Sequence, residues 1–323
     1  MNTWIDSKNK NRYDSNRTLG KDVLNMDFQE YELLLDLAET KNITRTAERL
    51  GYSQPGASHI LKKIEEELGF PVIFREKYGV TLTPAAELLL PTMRELMRIQ
   101  ERLEQTIYSI KGLEYGKMTI GAYSSVSIHL LPMILREFKE FHPNLIIDIR
   151  EGGAENILSW IDSNEIDFAF ISRPYARTMD FFSYGKDPLV AVLPEGYALD
   201  HKRNFPMESF EGQPFILSAD GNDFDIHNAL ECSGITPKYN YSVLDDHTIL
   251  SMVENKLGLS ILTQLICTGY HYKVECIPVD PPYYRDMGIG MKSYKKLSPA
   301  AKSFVDFAIA RIPKIWNEVL GEL

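Results

Sequence analysis

The residues with the most specific chemistry lie in one short segment, where amide, hydroxyl, imidazole and ammonium side chains follow one another at helical spacing. Gln54 can form two hydrogen bonds with one adenine, and Ser58 and His59 can bond to a base edge or a phosphate. The two lysines that follow fit phosphate contacts better than base contacts. The segment therefore predicts a nucleic-acid contact face, which consists of Ser53, Gln54, Pro55, Ser58, His59, Lys62 and Lys63.

Two short helices joined by a tight turn would hold these side chains in place. Ala47 and Leu50 belong to the apolar side of the first helix, and Gly51 can adopt the positive φ that ends it. Ser53 suits the N-cap of the second helix, and Pro55 is tolerated in its first turn. The pattern is typical of a helix-turn-helix, whose second helix enters the major groove by its N-terminal end. An ordinary surface helical hairpin has the same turn and remains an alternative at this point.

A predicted β-hairpin follows the second helix. Two short β-prone runs flank the segment from Glu76 to Gly79. Arg75, Lys77 and Tyr78 near its tip can contact an adjacent phosphate backbone or a minor groove. A helix-turn-helix followed by such a hairpin predicts a winged helix-turn-helix that binds double-stranded DNA.

Five segments in this order and spacing resemble the LysR-type transcriptional regulators: Thr-Ala-Glu-Arg-Leu, Ser-Gln-Pro-Gly-Ala-Ser, Ile-Glu-Glu-Glu-Leu-Gly, Phe-Arg and Leu-Thr-Pro-Ala. The resemblance extends from about Met26 to the C-terminus. It implies an α/β protein with an N-terminal winged helix-turn-helix, a long linker helix and a two-lobed effector domain like a type 2 periplasmic binding protein. His59 stands where arginine is frequent in the family, and Tyr78 stands where many relatives carry a second basic residue.

The predicted domain limits follow from composition and from this resemblance. A chain of 323 residues has room for two or three domains. The first residues are polar and aperiodic, which predicts a disordered extension or an upstream start codon. The predicted parts are the extension 1–25, the DNA-binding domain 26–83, the linker helix 84–115 and the effector domain 116–323, with lobe I at 116–187 and 282–323 and lobe II at 188–281.

The linker helix carries apolar residues in steps of three and four, close to a heptad pattern. We expect a kink near Pro91 and a pairing of two such helices, which would give a dimer with two DNA-binding domains. Packing of the helix on its own domain is the alternative. The apolar positions are Leu96, Ile99, Leu103, Thr106, Ile110 and Leu113.

Net charge limits how the protein can bind DNA. The formal charge is −10 and the pI is about 5.3, which has the wrong sign for binding nucleic acid by bulk charge. The basic side chains therefore have to lie together on one face. We expect few phosphate contacts per subunit, a site spread over several subunits and a moderate salt dependence.

No apolar run reaches about 18 residues, and the first 25 residues lack the apolar core of a signal peptide. These features predict a cytoplasmic protein with no membrane partner. Cys232, Cys267 and Cys276 form an odd and sparse set, which predicts reduced structural thiols. One branch of the resembled family senses peroxide with paired cysteines, and Cys232 lacks the corresponding partner. The histidines show no metal-ligand spacing, so we expect neither a metal nor another cofactor.

Beyond Lys117, strands alternate with helices in two runs, which predicts parallel sheets in two lobes. We expect one helix from Val126 to Phe141 and two chain crossings between the lobes, near 186–188 and 280–283. The predicted strands are Met118 to Ala122, Leu145 to Ile149, Asp167 to Ile171, Pro188 to Leu193, Pro214 to Leu217, Tyr239 to Val243 and Leu259 to Leu262.

Polar residues that follow these strands predict a ligand site between the lobes. Ligands of open α/β sheets bind at the carboxyl ends of strands, near helix N-termini. In the resembled family, effectors contact these loops, although the paired serines after the first strand could also be simple N-caps. The predicted effector contacts are Ser124, Ser125, Arg173, Ser218, Asp220 and Thr263.

The charges near this site bear on the effector. Asp220, Asp223 and Asp225 would disfavour a molecule with several negative charges, whereas Arg173 and the helix terminus at Ser125 would attract one. We therefore expect an organic acid or an amino-acid-like compound.

The predicted function is allosteric control of transcription by a homodimer or homotetramer, with promoter DNA, a small effector and RNA polymerase as partners. No Gly-x-Ser-x-Gly motif, phosphate-binding Gly-rich loop or nucleophile-base pair appears, so no catalytic residue is predicted. The adjacent Asp245, Asp246 and His247 are interpreted as a helix start. The alternative is a solute-binding module without a DNA function.

Overall fold

The chain divides into two units between Met93 and Arg94. The computed structural model describes residues 25–77, 79–111, 115–197, 203–218, 224–269 and 271–320. The predicted extension 1–25, apart from Asn25, lies outside the described residues, as do Tyr78 and Asp220.

The N-terminal unit consists of short helices and a hairpin, with capping residues at the predicted boundaries. Asp27 and Glu30 form a capping box that starts the first helix, and Gly51 ends the second with a φ of 75°. Its elements are α1 (Phe28–Thr40), α2 (Ile43–Leu50), α3 (Gln54–Leu68), β1 (Ile73–Glu76), β2 (Gly79–Leu82) and the beginning of α4 (Pro84–Ile110). The predicted helix pair and hairpin are therefore present.

Apolar side chains of α1 and α3 form the core of this unit. Leu33, Leu34 and Leu37 of α1 are buried, as are Leu61 and Ile64 of α3. Burial of a leucine or isoleucine side chain contributes roughly 1.5–3 kcal/mol. The core therefore fixes the orientation of α3 and leaves its polar face in solvent.

Helix α4 runs without interruption past Pro91, so no helix boundary occurs there. One face of its later turns packs within the C-terminal unit, residues 94–323, which is called the effector unit after the effector domain predicted for it. Arg98 Nη1 lies 2.5 Å from Asp167 Oδ1, and Gln105 Nε2 donates to the Lys117 carbonyl at 3.0 Å. The other face exposes apolar side chains, namely Leu96, Ile99, Leu103, Ile107 and Ile110. The helix therefore carries an apolar surface that its own unit does not cover.

The effector unit is an α/β structure with two lobes. Its strands are β3 (Gly116–Ala122), β4 (Leu145–Glu151), β5 (Phe168–Ser172), β6 (Asp180–Pro194), β7 (Phe205–Pro206), β8 (Pro214–Ser218), β9 (Lys238–Val243), β10 (Ser260–Thr263), β11 (Val274–Asp280) and β12 (Tyr284–Met291). Its helices are α5 (Ser124–His129), α6 (Leu131–Phe141), α7 (Ala154–Asp162), α8 (Phe224–Cys232), α9 (Asp246–Glu254), α10 (Gln264–Cys267) and α11 (Pro299–Leu320). None of the described helices is long and apolar enough to cross a membrane.

The sheets are mixed, not parallel throughout as predicted. β3 is parallel to β4 and β5, and β8 is parallel to β9. β12 is antiparallel to β5 and β6, and β10 and β11 are antiparallel to β6. The antiparallel pairs arise because the chain passes from the first lobe into the second and then returns.

The first crossing between the lobes lies inside one 15-residue strand, β6. The sequence predicted a strand only from Pro188 to Leu193, whereas β6 begins at Asp180. β12 pairs with β6 up to Pro188, and β10 pairs with it from Leu189 onward. Hydrogen-bond partners on both halves thus keep the backbone extended through the crossing.

The prediction of one continuous helix from Val126 to Phe141 is wrong. Two helices, α5 and α6, meet at Leu130. Pro132 lies in the first turn of α6, where its ring and missing N–H favour a helix start. The proline is therefore the physical reason for the break.

Aromatic side chains mark the core of each lobe. In the first lobe, Phe138 and Phe168 pack against Phe304 of α11, with ring centroids 5.0 and 5.6 Å away. In the second lobe, Phe210 packs between Phe205 and Phe215 at 4.7 and 5.7 Å. Helix α11 thus returns to the first lobe, as predicted for the C-terminal segment.

Candidate functional site

The N-terminal end of α3 has the predicted capped structure. Ser53 is the N-cap and its Oγ accepts a hydrogen bond from the Gly56 N–H at 3.2 Å. Pro55 occupies the first turn. Gln54 Nε2 donates to Ser58 Oγ at 3.0 Å, which places the two side chains on one face. The first turn of α3 therefore presents an amide and a hydroxyl together.

Most of the predicted contact residues on α3 are exposed. Gln54, His59 and the two lysines lie in solvent, and Ser58 is half-buried. These side chains form a polar face opposite the buried Leu61. The face is therefore accessible to a nucleic acid.

The two lysines of α3 differ in their partners. Lys63 Nζ lies 2.6 Å from Glu30 Oε1 on a nearly buried side chain, and this hydrogen bond raises the pKa of Lys63. Lys62 Nζ lies 3.5 Å from Glu66 Oε1, and both of these side chains are exposed. Lys63 thus links α3 to α1. Lys62 forms an exposed ion pair, and such a pair contributes little to stability.

The predicted hairpin has its two strands in register from Ile73 opposite Leu82 to Glu76 opposite Gly79. Arg75 on β1 and Lys77 in the turn are exposed. Tyr78, the third residue predicted to bind DNA here, lies outside the described residues. The hairpin therefore presents two basic side chains to solvent.

A cavity of about 320 Å³ lies in the effector unit, where strand ends from the two lobes face each other. Four of the predicted effector contacts line it: Ser124, Ser125, Ser218 and Thr263. Asp220 lies outside the described residues. Ser124 and Ser125 follow β3, whereas Ser218 and Thr263 are the last residues of β8 and β10.

Arg173 does not line this cavity and is a correction to the predicted set. Its Nε lies 2.5 Å from Asp286 Oδ2, and its guanidinium covers the Phe181 ring at 4.6 Å. The side chain is more than half exposed. Local partners therefore hold Arg173 at the surface of the first lobe.

Arg285 is the arginine that lines the cavity. The register of β12 against β6 places it directly opposite Asp187, and its Nη2 donates to Asp187 Oδ2 at 2.8 Å. The same nitrogen donates to Ser125 Oγ at 3.3 Å and to Thr263 Oγ1 at 3.2 Å. One guanidinium thus joins a hydroxyl of the first lobe to a hydroxyl of the second.

Burial gives this network its electrostatic character. The side chains of Arg285 and Asp187 are 5% and 0% exposed, and Tyr123 stacks 5.0 Å from the guanidinium. Burial opposes the charge of Arg285, but Asp187, Tyr123 and Asp225 together outweigh burial, and the pKa of Arg285 is raised. Asp187 Oδ1 also accepts a hydrogen bond from the Leu265 N–H at 3.0 Å. Both oxygens of Asp187 therefore accept a hydrogen bond, whereas Arg285 Nε has no hydrogen-bond partner in the described part of the chain.

In the described part of the chain, four carboxylate residues line the same cavity: Glu151, Asp225, Asp245 and Asp246. Burial raises the pKa of Asp225 to about 6. Asp245 is the N-cap of α9 and accepts hydrogen bonds from the Thr248 N–H and Oγ1, each at 2.8 Å. The predicted helix start at these residues is confirmed, although α9 begins at Asp246. Among the described residues, no group of three His, Cys, Asp or Glu is arranged to hold a metal ion.

Sequence reasoning missed Arg285 and Asp187, and it named Asp225 only as a charge near the site. Asp187 lies within the predicted crossing near 186–188 and Arg285 follows the one near 280–283, and this is the signal that could have found them. It also missed a contact between Cys267 and Cys276, whose hydrogen bond raises the pKa of Cys267 and lowers that of Cys276. These thiols pack against the same apolar cluster of the second lobe.

Known proteins resemble both units. Residues 28–87 match the family described as bacterial regulatory helix-turn-helix protein, lysR family, and residues 111–313 match the family described as LysR substrate binding domain. The uncharacterised HTH-type transcriptional regulator YvbU of Bacillus subtilis is 28% identical over 286 residues, which are 88% of this chain and 98% of that protein.

Two solved structures show the likeness of fold. A full-length OxyR variant from Pseudomonas aeruginosa has a TM-score of 0.69 and 23% identity, and the match covers 89% of this chain and 98% of that one. The effector-binding domain of QuiR, solved in complex with shikimate, has a TM-score of 0.56 and 21% identity. That match covers 62% of this chain and 98% of the QuiR domain.

Proposed function

Because the chain belongs to the LysR family of transcriptional regulators, we propose that α3 contacts base edges of promoter DNA while the cavity of the effector unit holds a small organic molecule. The protein is a LysR-type regulator with a helix-turn-helix and an effector-binding domain. The observation that supports the proposed contacts best is the capped start of α3, where the exposed Gln54 and the half-buried Ser58 share one face.

The proposed DNA contacts have different roles. Gln54 contacts a base, because its amide can both donate to and accept from adenine. Ser58 and His59 contact bases or phosphates, and Lys62 contacts a phosphate. Lys63 contributes less than Lys62, because Glu30 already balances its charge. The remaining proposed contacts are Ser53 and Pro55 at the helix start and Arg75, Lys77 and Tyr78 in the hairpin.

The proposed effector site uses hydroxyl groups from both lobes. Ser125 and Thr263 already accept hydrogen bonds from Arg285, so their own O–H groups are available to an acceptor on the effector. Ser124 and Ser218 line the same cavity. QuiR was solved with shikimate, an organic acid, which supports a small oxygen-rich effector. An organic acid or an amino-acid-like compound fits the two hydroxyls.

The exposed apolar face of α4 supports a homo-oligomer. Pairing of two such helices removes these side chains from water and gives a dimer with two DNA-binding domains, and two dimers give a tetramer. An effector that binds the two lobes differently in two arrangements shifts their populations and changes promoter binding. The regulator then acts in the cytoplasm, with RNA polymerase as a further partner. The proposal keeps the limits 26–83, 84–115 and 116–323 for the three parts.

An electrophoretic mobility shift with the DNA upstream of the protein's own gene tests the DNA contacts. We expect Gln54→Ala to weaken specific binding by about 1–3 kcal/mol, or about 5-fold to 150-fold, because one base contact is lost. Gln29→Ala is the matched control, since Gln29 is an exposed glutamine on α1 of the same unit. It should bind like the unmodified protein.

Two outcomes would contradict the proposal. Equal affinity of Gln54→Ala and the unmodified protein would show that Gln54 does not contact a base. No binding of the unmodified protein at any effector condition would favour a solute-binding module without a DNA function.

A further inference from the structure

The two hydroxyls at the seam between the lobes require an acceptor. Ser125 Oγ and Thr263 Oγ1 both accept from Arg285 Nη2, at 3.3 and 3.2 Å. A hydroxyl has one hydrogen to donate, and these hydrogens point away from a nitrogen that is itself a donor. Both side chains are at least 95% buried and line the cavity. These two hydroxyls therefore suit an oxygen acceptor, for which a carboxylate is the strongest common group.

The remaining charges of the cavity are negative. Arg285 is already paired with Asp187 at 2.8 Å, and the acidic side chains among the described lining residues are Glu151, Asp225, Asp245 and Asp246, with the imidazole of His247 beside them. A ligand with negative charge alone would approach these carboxylates with no unbalanced cation to offset them. The cavity as a whole therefore favours a ligand that also carries positive charge.

Asp225 is the carboxylate that most needs a cation. It lies on α8 of the second lobe, and its Oδ2 is buried and accepts no hydrogen bond from any described residue. Burial raises the pKa of this group, which shows that the ionised form is poorly solvated. Because the charge of a carboxylate is shared between its oxygens, an ammonium group beside the accessible oxygen also stabilises the buried one.

The Arg285 guanidinium also has an unsatisfied hydrogen-bonding group. Arg285 Nε is buried without a hydrogen-bond partner in the described part of the chain, although Nη2 has three. Arg285 belongs to a strand of the first lobe and Asp225 to a helix of the second. The cavity thus has an incompletely satisfied cation on one lobe and an incompletely satisfied anion on the other.

We infer that the effector is a small zwitterion of the amino-acid class, with its carboxylate at Ser125, Thr263 and Arg285 and its ammonium group at Asp225. This inference rests on the proposed effector role of the cavity. A volume of about 320 Å³ is at the lower end of ligand pockets and suits a molecule of this size. Because its carboxylate binds a hydroxyl of each lobe and its ammonium group binds the second lobe, the ligand holds the lobes together in one arrangement. A simple carboxylic acid binds the two hydroxyls but lacks the contact to Asp225.

Matched ligands test the inference on the full-length protein without DNA. Thermal shift and calorimetry are measured with the free amino acids, each beside the acid that lacks its amine and the amine that lacks its carboxylate, such as leucine, 4-methylpentanoate and 3-methylbutylamine. We expect at least one amino acid to bind, and both of its analogues to bind at least about tenfold more weakly, because each loses a charge-assisted hydrogen bond. Equal binding of the amino acid and its nitrogen-free acid overturns the inference. So does the absence of any shift with millimolar amino acids.

Asp225→Asn tests the site of the ammonium group. This variant keeps the size of the side chain and should weaken the amino acid at least about tenfold, while its nitrogen-free acid binds no worse. Glu231→Gln is the matched control, because Glu231 is an exposed acidic residue on the same helix and does not line the cavity. Equal amino-acid affinity of Asp225→Asn and the control overturns the assignment. Failure of promoter binding leaves these ligand measurements unchanged, so the two proposals fail separately.

Discussion

The polar face of α3 and the polar network of the cavity use similar hydrogen-bonding groups, but the first is exposed to solvent and the second is buried. On α3, Gln54 and Ser58 lie four residues apart, bond to each other and remain open to solvent. In the cavity, Ser125 and Arg285 are 160 positions apart and almost fully buried. The first surface keeps its hydrogen-bonding capacity for a partner, whereas the second uses most of its capacity to hold two lobes together.

This difference determines what a substitution changes. An exposed polar group contributes little to stability because water replaces its partner. A buried charge that loses its partner costs much more, because water cannot reach the charge that remains. Substitutions on α3 should therefore alter binding, and substitutions in the cavity network should alter stability as well.

The largest expected effect is that of Arg285→Met. The variant leaves the Asp187 carboxylate buried without its cation and should lower the free energy of unfolding of the effector unit by about 3–5 kcal/mol. Urea denaturation followed by tryptophan fluorescence measures it, because Trp160 and Trp316 both lie in this unit.

An exposed ion pair of similar length gives the control. Arg173 lies 2.5 Å from Asp286, and Arg173→Met should cost less than about 1 kcal/mol. Adding Asp187→Asn to Arg285→Met should restore more than half of the loss, because no unpaired charge then remains. Equal losses of unfolding free energy for Arg173→Met and Arg285→Met would show that burial does not determine the cost of removing the arginine.

The next effect is the pH dependence that arises from Asp225. Its pKa is about 6 in the folded protein and near 3.9 in the unfolded chain, so the folded protein binds its proton more tightly. This group therefore stabilises the fold below about pH 4, and that contribution of about 3 kcal/mol is lost as the pH rises to about 6. Asp225→Asn lacks this titration, so the unfolding free energy of the unmodified protein should fall relative to that of the variant as the pH rises from about 4 to about 6.

Glu231→Gln should leave the pH profile parallel to that of the unmodified protein, because its side chain is exposed. A profile of Asp225→Asn that is also parallel would show that the cavity does not desolvate this carboxylate. The Asp225 carboxylate would then be hydrated like an exposed side chain on α3.

The smallest expected effect is that of Ser53→Ala, which removes the N-cap of α3. The loss should be about 1 kcal/mol and should increase hydrogen exchange of the amides in the first turns of α3 about fivefold. Ser58→Ala is the control, because alanine in a helix interior is favourable. Faster exchange across the whole unit would mean that the cap supports more than its own helix.

The N-terminal unit could be predicted in detail because its signals are local. Asn42, Gly51 and Ser53 define the ends of α2 and α3 through contacts with residues three or four positions away. The buried and exposed faces of α3 follow from helical periodicity. The partner of Lys63 could not be predicted, because Glu30 lies on another helix and the contact depends on how the two helices pack.

The cavity could be predicted only in outline. Ser125 and Thr263 follow strands, and the rule that ligands bind at strand ends was sufficient to find them. Arg173 also follows a strand, but Asp286 and Phe181 hold it at the surface. Arg285 and Asp187 meet because two distant strands pair in one register, and no periodicity in either strand specifies that register.

The continuous β6 has a mechanical consequence. A 15-residue strand extends roughly 50 Å, and here it enters both lobes with no loop at the crossing. A change in the angle between the lobes must therefore twist a backbone that is hydrogen-bonded along both halves, close to Asp187. Such a strand resists twisting along its whole length and does not act as a flexible hinge. The response to an effector should therefore be a small rotation shared by the whole sheet.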